Sequence, residues 1–283
     1  MKKLTKLAQD LLGVVVALIW VFPVYWMLLS ALTPNARLRQ MPPSFLPTNA
    51  TLSNFRRAVT DPGFFPALKM SLAITLLTVF VVLVLAFLAA LAISRFRFRG
   101  RKSFILAILM IQMLPAEGLF IAQYKMLSGV GDRVPVLGLN SVLGITILYS
   151  AAVIPFTIWM LRGFVAGVPV ELEEAAMVDG LSRPMAFLRI TFPLLAPGLV
   201  ASGVYAFLQA WNEFTIALVA LPEQSAQTLP LWLREFLNAS VNRGVDWAQV
   251  MAASTIIAVP VIIFFLIVQG RMTSGLVSGA VKG

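Results

Sequence analysis

The chain has 283 residues, 59% of them hydrophobic and only 12% charged, with a formal net charge of +10. A chain this apolar has too few polar side chains to cover a soluble core, so lipid is its expected solvent. It contains no cysteine and no histidine, which excludes a disulfide framework, imidazole metal sites and Ser-His or Cys-His catalysis.

Lys2, Lys3 and Lys6 precede the first apolar run, as basic residues precede a signal peptide core. That run is longer than the usual core of about 7–15 residues. It contains Trp20, Pro23, Tyr25 and Trp26, with no clear small-residue cleavage site after it. It is therefore expected to remain as a first spanning helix, Leu11–Leu32. The connection Thr33–Lys69 is broken by prolines, with Leu52–Val59 around Asn54 and Phe55 expected as a short interfacial helix.

Five further segments match the roughly 30 Å and about 20 residues that a bilayer core requires. They are Met70–Ser94, Ser103–Tyr124, Asn140–Leu161, Phe192–Leu221 and Trp247–Gln269. The fold class predicted is an all-α integral membrane protein of six transmembrane helices, a single domain over residues 1–283 without internal repeat. Pro23, Pro115, Pro155, Pro197 and Pro260 lie within spans. Each frees a backbone carbonyl that neighbours must satisfy, which favours a kinked bundle.

Basic residues set the orientation. Arg95, Arg97, Arg99, Arg101 and Lys102 crowd the short loop after the second span. Positive-inside bias therefore places that loop and both termini in the cytoplasm. Arg37, Arg39, Arg56 and Arg57 in the first outside loop run against the rule. The same anchoring role explains the net charge better than nucleic acid does. The second outside loop, Pro222–Asp246, has Trp232, Phe236 and Trp247 near its ends. They are read as interface anchors, with contact to an extracellular partner as the alternative.

Between spans four and five, residues 162–191 are polar and punctuated by proline. Pro169 followed by Glu171, Glu173 and Glu174 predicts a helix start, since acids complement the positive end of the dipole. Asp179-Gly180 predicts its end. Ser182 is placed to cap a second short helix, Arg183–Ile190, with Pro184 in its first turn. Leu172, Ala175, Ala176 and Met177 leave a small apolar surface among the charges. Two readings stay open from the residues alone: a helix pair docked in a groove of another protein, or a linker resting on headgroups.

The string from Glu174 through Ala175, Ala176, Asp179, Gly180, Phe187, Pro193, Pro197 and Gly198 closely resembles the EAA loop of binding-protein-dependent ABC importer permeases. Leu181 departs from the alanine frequent there. F-P-V-Y-W-M-L-L-S-A-L in the first span, W-N-E-F at Trp211–Phe214 and the ending M-T-S-G-L-V-S-G-A-V-K-G are similar to the carbohydrate branch, in its MalG-like subunit of maltose and trehalose type. The resemblance implies a cytoplasmic coupling helix pair seated in an ATPase cleft, through Glu174, Ala175, Ala176, Asp179, Gly180, Leu181, Phe187 and Pro193. It implies two ATPase subunits, a homologous second permease subunit and an extracytoplasmic solute-binding protein, at the inner membrane of a prokaryote. It also implies that the carboxyl-terminal tail lies along the ATPase, where an ordinary reading is a frayed end.

No G-x-x-x-x-G-K-[ST] occurs in the chain, so ATP and Mg are expected on a partner and no cofactor on this chain. Intramembrane charge is costly, so Glu117 and Glu213 should face protein or water. Gln209, Asn212 and Glu213 fall on one helical face beside Trp211. They either line a sugar path, with the ring as platform, or hold helices together as a gate; the generic W-N-E-F favours the second. A permease for a non-sugar solute and a self-contained channel or carrier remain as alternatives. The carrier would show repeated or discontinuous helices, and none is visible in the sequence. The spans hold no carboxylate cluster with metal-ligand spacing for an enzyme.

Overall fold

The computed structural model describes residues 2–38, 40–241 and 245–279. Among them every regular element is helical. In chain order these are α1 Lys2–Leu32, α2 Asn35–Leu38, α3 Ser53–Thr60, α4 Phe64–Arg95, α5 Arg101–Ile111, α6 Phe120–Gly131, α7 Val142–Gly167, α8 Glu171–Val178, α9 Arg183–Ala186, α10 Phe192–Asn212, α11 Thr215–Ala220, α12 Leu229–Val241 and α13 Trp247–Gly279. A π turn, Phe187–Thr191, joins α9 to α10, so Arg183–Asn212 is one continuous helix. Five stretches are long and apolar enough to cross a membrane: Gln9–Leu32, Phe64–Arg95, Pro135–Gly167, Arg183–Asn212 and Trp247–Gly270. The chain is thus an all-α protein with several spanning helices.

The expected third span, Ser103–Tyr124, is not one helix. α5 stops at Ile111, and a 3₁₀ turn at Ala116–Leu119 intervenes before α6. Pro115 has no N–H for the Ile111 carbonyl and its ring crowds that carbonyl, so a regular helix through it is disfavoured. The outside connection 222–246 also differs from its expectation, because α12 occupies much of it. The carboxyl-terminal motif runs in α13 as far as Gly279, and residues 280–283 lie outside the described residues.

The chain forms two compact units, one of residues 1–65 and 232–260, the other of 66–231 and 261–283. In the first unit α1 is exposed along nearly its whole length, with Trp20 at 79%, and only its last turn is buried. Such an apolar surface is stable in lipid or against another apolar partner. Asn54, the polar residue of the expected interfacial helix, is buried in α3. Its Nδ2 donates to the carbonyls of Ala31 at 2.8 Å and Thr33 at 3.1 Å, satisfying orphan groups at the end of α1. Trp232, expected as an interface anchor, is buried instead. Its Nε1 donates to Asp61 Oδ1 at 2.8 Å and its ring meets Phe64 edge-on at 5.1 Å, the partners a buried indole requires.

In the second unit α7 is the most enclosed of the candidate spanning helices, with over half of its most apolar stretch buried. Ser141 starts it by accepting from the Gly144 N–H at 3.0 Å. Ile145, Leu148 and Tyr149 pack at one end of α7 with Ile74, Ala210 and Ile216. Ile158, Leu161 and Val165 pack at the other with Ala86, Ala90 and Leu195. Small residues on α4 and α10 let the helices approach closely, the main source of packing energy where lipid competes for apolar contact. Gly198 shows how close: a Cβ there would lie 2.4 Å from Cγ of Phe164. Gly198→Ala is expected to cost about 1–3 kcal/mol through overpacking, and Phe164→Ala added to it should recover part of that loss. Thermal unfolding of the detergent-purified chain measures both; unchanged stability in Gly198→Ala would show the contact to be loose.

Candidate functional site

The sequence-predicted loop folds around α8, and its first turn carries Glu171, Glu173 and Glu174. Three acids there complement the helix dipole. The end of α8 is a Schellman cap. Gly180 sits at φ +94°, and its N–H donates to the Met177 carbonyl at 3.0 Å. The Leu181 N–H reaches the Ala176 carbonyl at 3.1 Å, and that of Asp179 the Ala175 carbonyl at 3.0 Å. Only glycine adopts that φ at no steric cost. The run E-A-A-M-V-D-G-L is therefore, locally, one short helix and its stop.

Two expectations change here. α7 continues to Gly167, so the connection is shorter than 162–191. The second short helix, Arg183–Ile190, does not end before the membrane but runs through the π turn into α10. Pro193 accounts for the widened turn, since its ring would clash with the carbonyl four residues back in a regular helix. Ser182 precedes α9 but makes no side-chain cap.

What α8 rests on was not visible in the sequence as a set. Arg95 Nη2, at the end of α4, lies 3.4 Å from Glu173 Oε1 and donates to the Val168 carbonyl at 3.0 Å. Thr191 Oγ1 in the π turn donates to the same Glu173 oxygen at 2.8 Å. This is the only ion pair among the described residues, and its side chains are 17% and 13% exposed. Ala176 and Ala186 are buried, and α8 packs on α9 and the π turn. The opposite face is open: Glu174, Ala175, Asp179 and Gly180 are exposed, as are Leu172 at 41% and Val178 at 88%. The Glu174 carboxylate has no partner among the described residues. Leu181 is half-buried, Pro193 exposed, and Phe187 half-buried in an aromatic group with Phe87 and Phe192.

The second predicted set lies at a break in the expected fifth span. α10 ends at Asn212, and Glu213 is extended at φ −67°, ψ 126°. Its Oε1 accepts from the Ile216 N–H at 2.8 Å and its Oε2 from the Ala217 N–H at 3.0 Å. The carboxylate thus closes the free N–H groups at the start of α11, where the dipole favours an anion. The common face predicted for Gln209, Asn212 and Glu213 does not persist, because the helix ends between the last two. Gln209 and Asn212 are exposed, and Asn212 Nδ2 turns back to the Leu208 carbonyl at 2.9 Å. Trp211 is buried, stacked on Phe207 at 5.6 Å, and presents no open ring. Glu117 falls in the turn after Pro115, and its side chain lies outside the described part. Among the described residues no group of His, Cys, Asp or Glu could hold a metal ion.

The chain matches, over residues 3–276, the family described as the binding-protein-dependent transport system inner membrane component. It belongs to that family. It is 42% identical over 263 residues to the diacetylchitobiose uptake system permease protein DasC of Streptomyces coelicolor, covering 93% of this chain and 92% of the other. It is 32% identical to the trehalose/maltose transport system permease protein MalG of Thermococcus litoralis, covering 96% and 95%. A likewise 32% identical relative is the trehalose transport system permease protein SugB of Mycobacterium tuberculosis, covering 92% of each chain. Among solved structures, a bacterial ABC transporter involved in alginate import shares the fold, with TM-score 0.73 at 23% identity over 95% of this chain and 96% of the other. The family membership and the apolar helices establish a multi-pass inner-membrane permease subunit.

The Arg95–Glu173 pair is open to direct measurement. In a double-mutant cycle of Arg95→Gln and Glu173→Gln, followed by unfolding of the purified chain, the coupling energy is expected at about 0.5–3 kcal/mol, as for neighbours in one salt-bridge network. Strictly additive losses would show that the pair does not hold α8.

Proposed function

We propose that this chain is the transmembrane permease subunit of an ATP-binding-cassette importer for a sugar of di- or oligosaccharide size. The observation that carries the reading is the exposed face of α8, closed by Gly180 and fastened from behind through Glu173, in a member of this transport family. The relatives named for diacetylchitobiose, trehalose and maltose support a short sugar as the solute. A related transporter structure in complex with a pentasaccharide-bound periplasmic protein supports a solute-binding protein as partner.

In this reading α8 seats in a cleft of a cytoplasmic ATPase, which binds ATP and Mg, and a second permease subunit completes the path. α5 and α6 together make the third crossing, so six crossings return both termini to the cytoplasm. Glu174 and Asp179 offer charge to the ATPase, while Ala175 and Val178 offer a small apolar contact. Closure of two ATPases then moves α8, and with it α4 and α10. Glu213, spent on capping α11, serves the break in the helix as a gate or hinge rather than as a sugar ligand.

The breaks near Pro115 and Glu213 are the discontinuities that a self-contained carrier would need, and they keep that reading as the second one. Uptake in cells carrying the whole transporter separates the two. Glu174→Lys and Gly180→Pro should each lower uptake of a labelled disaccharide by about tenfold or more, through charge reversal in the interface and loss of the α8 cap. Membrane levels of both variants should stay near those of the parent. Full uptake by both would remove the coupling role of α8 and favour the carrier.

A further inference from the structure

Behind α8, a cavity of about 360 Å³ opens where the end of α4 and the first turn of α8 meet α9. Its charged lining is Arg95, Glu173 and Arg183, and its apolar lining includes Leu91, Phe96 and Phe187. Glu173 is already held by Arg95 and Thr191. Arg95 Nε, by contrast, is buried without a hydrogen-bond partner, and no described carboxylate pairs with Arg183. The cavity therefore carries one guanidinium more than its own carboxylate neutralises. Arg97 and Arg99 follow in the next loop and Arg101 and Lys102 open α5, and all four add positive potential.

The apolar side continues out of the cavity. The Phe187 ring lies 6.3 Å from Phe87 and 6.4 Å from Phe192. Phe192 at 41% exposure and Leu88 at 57% extend that surface along α10 and α4, both of them candidate spans. An unsatisfied guanidinium pocket that opens onto a membrane-depth apolar surface fits an amphiphile with an anionic head. A small soluble anion would use the charge and leave the aromatic surface idle.

We propose that this cavity binds the phosphate head of an anionic phospholipid, with Arg183 as the free donor, Arg95 as the second, and an acyl chain along Phe87, Phe187 and Phe192. Guanidinium and phosphate pair by charge-assisted, often bidentate hydrogen bonds, and basic pockets between spanning helices are suited to such heads. The proposal rests on the orientation proposed above, which puts the cavity at the inner leaflet. A lipid seated there packs against the end of α4, α8 and the π turn together, and so bears on the elements that transmit motion.

The test uses the purified full-length chain in detergent, loaded with phosphatidylglycerol and phosphatidylcholine in equal amounts, with retained lipid counted by native mass spectrometry. One phosphatidylglycerol should be kept per chain in preference to phosphatidylcholine. Arg183→Gln should weaken its retention by about tenfold, Arg183→Lys by less, and Arg189→Gln, an exposed arginine outside the cavity lining, not at all. Arg183 is exposed and unpaired, so these variants should melt with the parent protein. Equal retention of both lipids, unchanged retention in Arg183→Gln, or equal loss in Arg189→Gln would overturn the proposal. Displacement of the lipid by millimolar inorganic phosphate would also overturn it, by assigning the pocket to a free anion. The assay needs neither ATPase nor uptake, so its failure leaves the importer reading standing, and loss of that reading leaves the binding result interpretable.

Discussion

The shared oxygen of Glu173 is the constraint on which the region around α8 depends. α8 has only eight residues, and isolated helices shorter than about 12–15 residues are marginal in water. Its order must come from what it touches. Glu173 links it to Arg95 at the end of one spanning helix and to Thr191 at the entry to another, while Arg95 also holds the carbonyl that follows α7. Three spanning helices thus converge on one small helix that lies outside them. In the proposed reading, a push on the open face of α8 would reach α4 through the Arg95–Glu173 ion pair and α10 through the Thr191 hydrogen bond, and would not depend on the Gly180 turn alone.

A related economy governs the breaks in the spans. In hydrocarbon each interrupted helix leaves backbone groups that nothing in the solvent can satisfy. At the end of α10 the chain solves this with Glu213, whose two oxygens take two N–H groups of α11. The carboxylate is thereby removed from the set of free intramembrane charges, and its place in W-N-E-F becomes a matter of backbone chemistry. The π turn before Pro193 solves the same problem differently, by widening the helix around a ring that a regular turn would exclude.

The all-helical class, most spans and both ends of α8 were legible in the sequence, because apolar run length, acidic first turns and an Asp-Gly stop act locally. What escaped was set by distance along the chain. Arg95 read as one more positive-inside cation, and only the fold places it against Glu173, 78 residues later. Trp232 read as an interface anchor until Asp61 and Phe64 enclosed it. Proline was ambiguous for a physical reason. Pro155 and Pro197 sit inside continuous helices, whereas α5 has already stopped before Pro115; neighbours that can satisfy the freed carbonyl decide between the outcomes, and sequence does not name them. The face predicted for Gln209, Asn212 and Glu213 failed because periodicity assumes a helix that the carboxylate itself helps to end.

The chain has no native cysteine, so a single Val178→Cys on the open face of α8 can be crosslinked without background. In native membranes holding the whole transporter, the proposed role of α8 requires that cysteine to join an ATPase subunit, identified by mass analysis, with a yield that changes when nucleotide is added. Sugar uptake that proceeds while Val178→Cys joins no ATPase, with or without nucleotide, would contradict it.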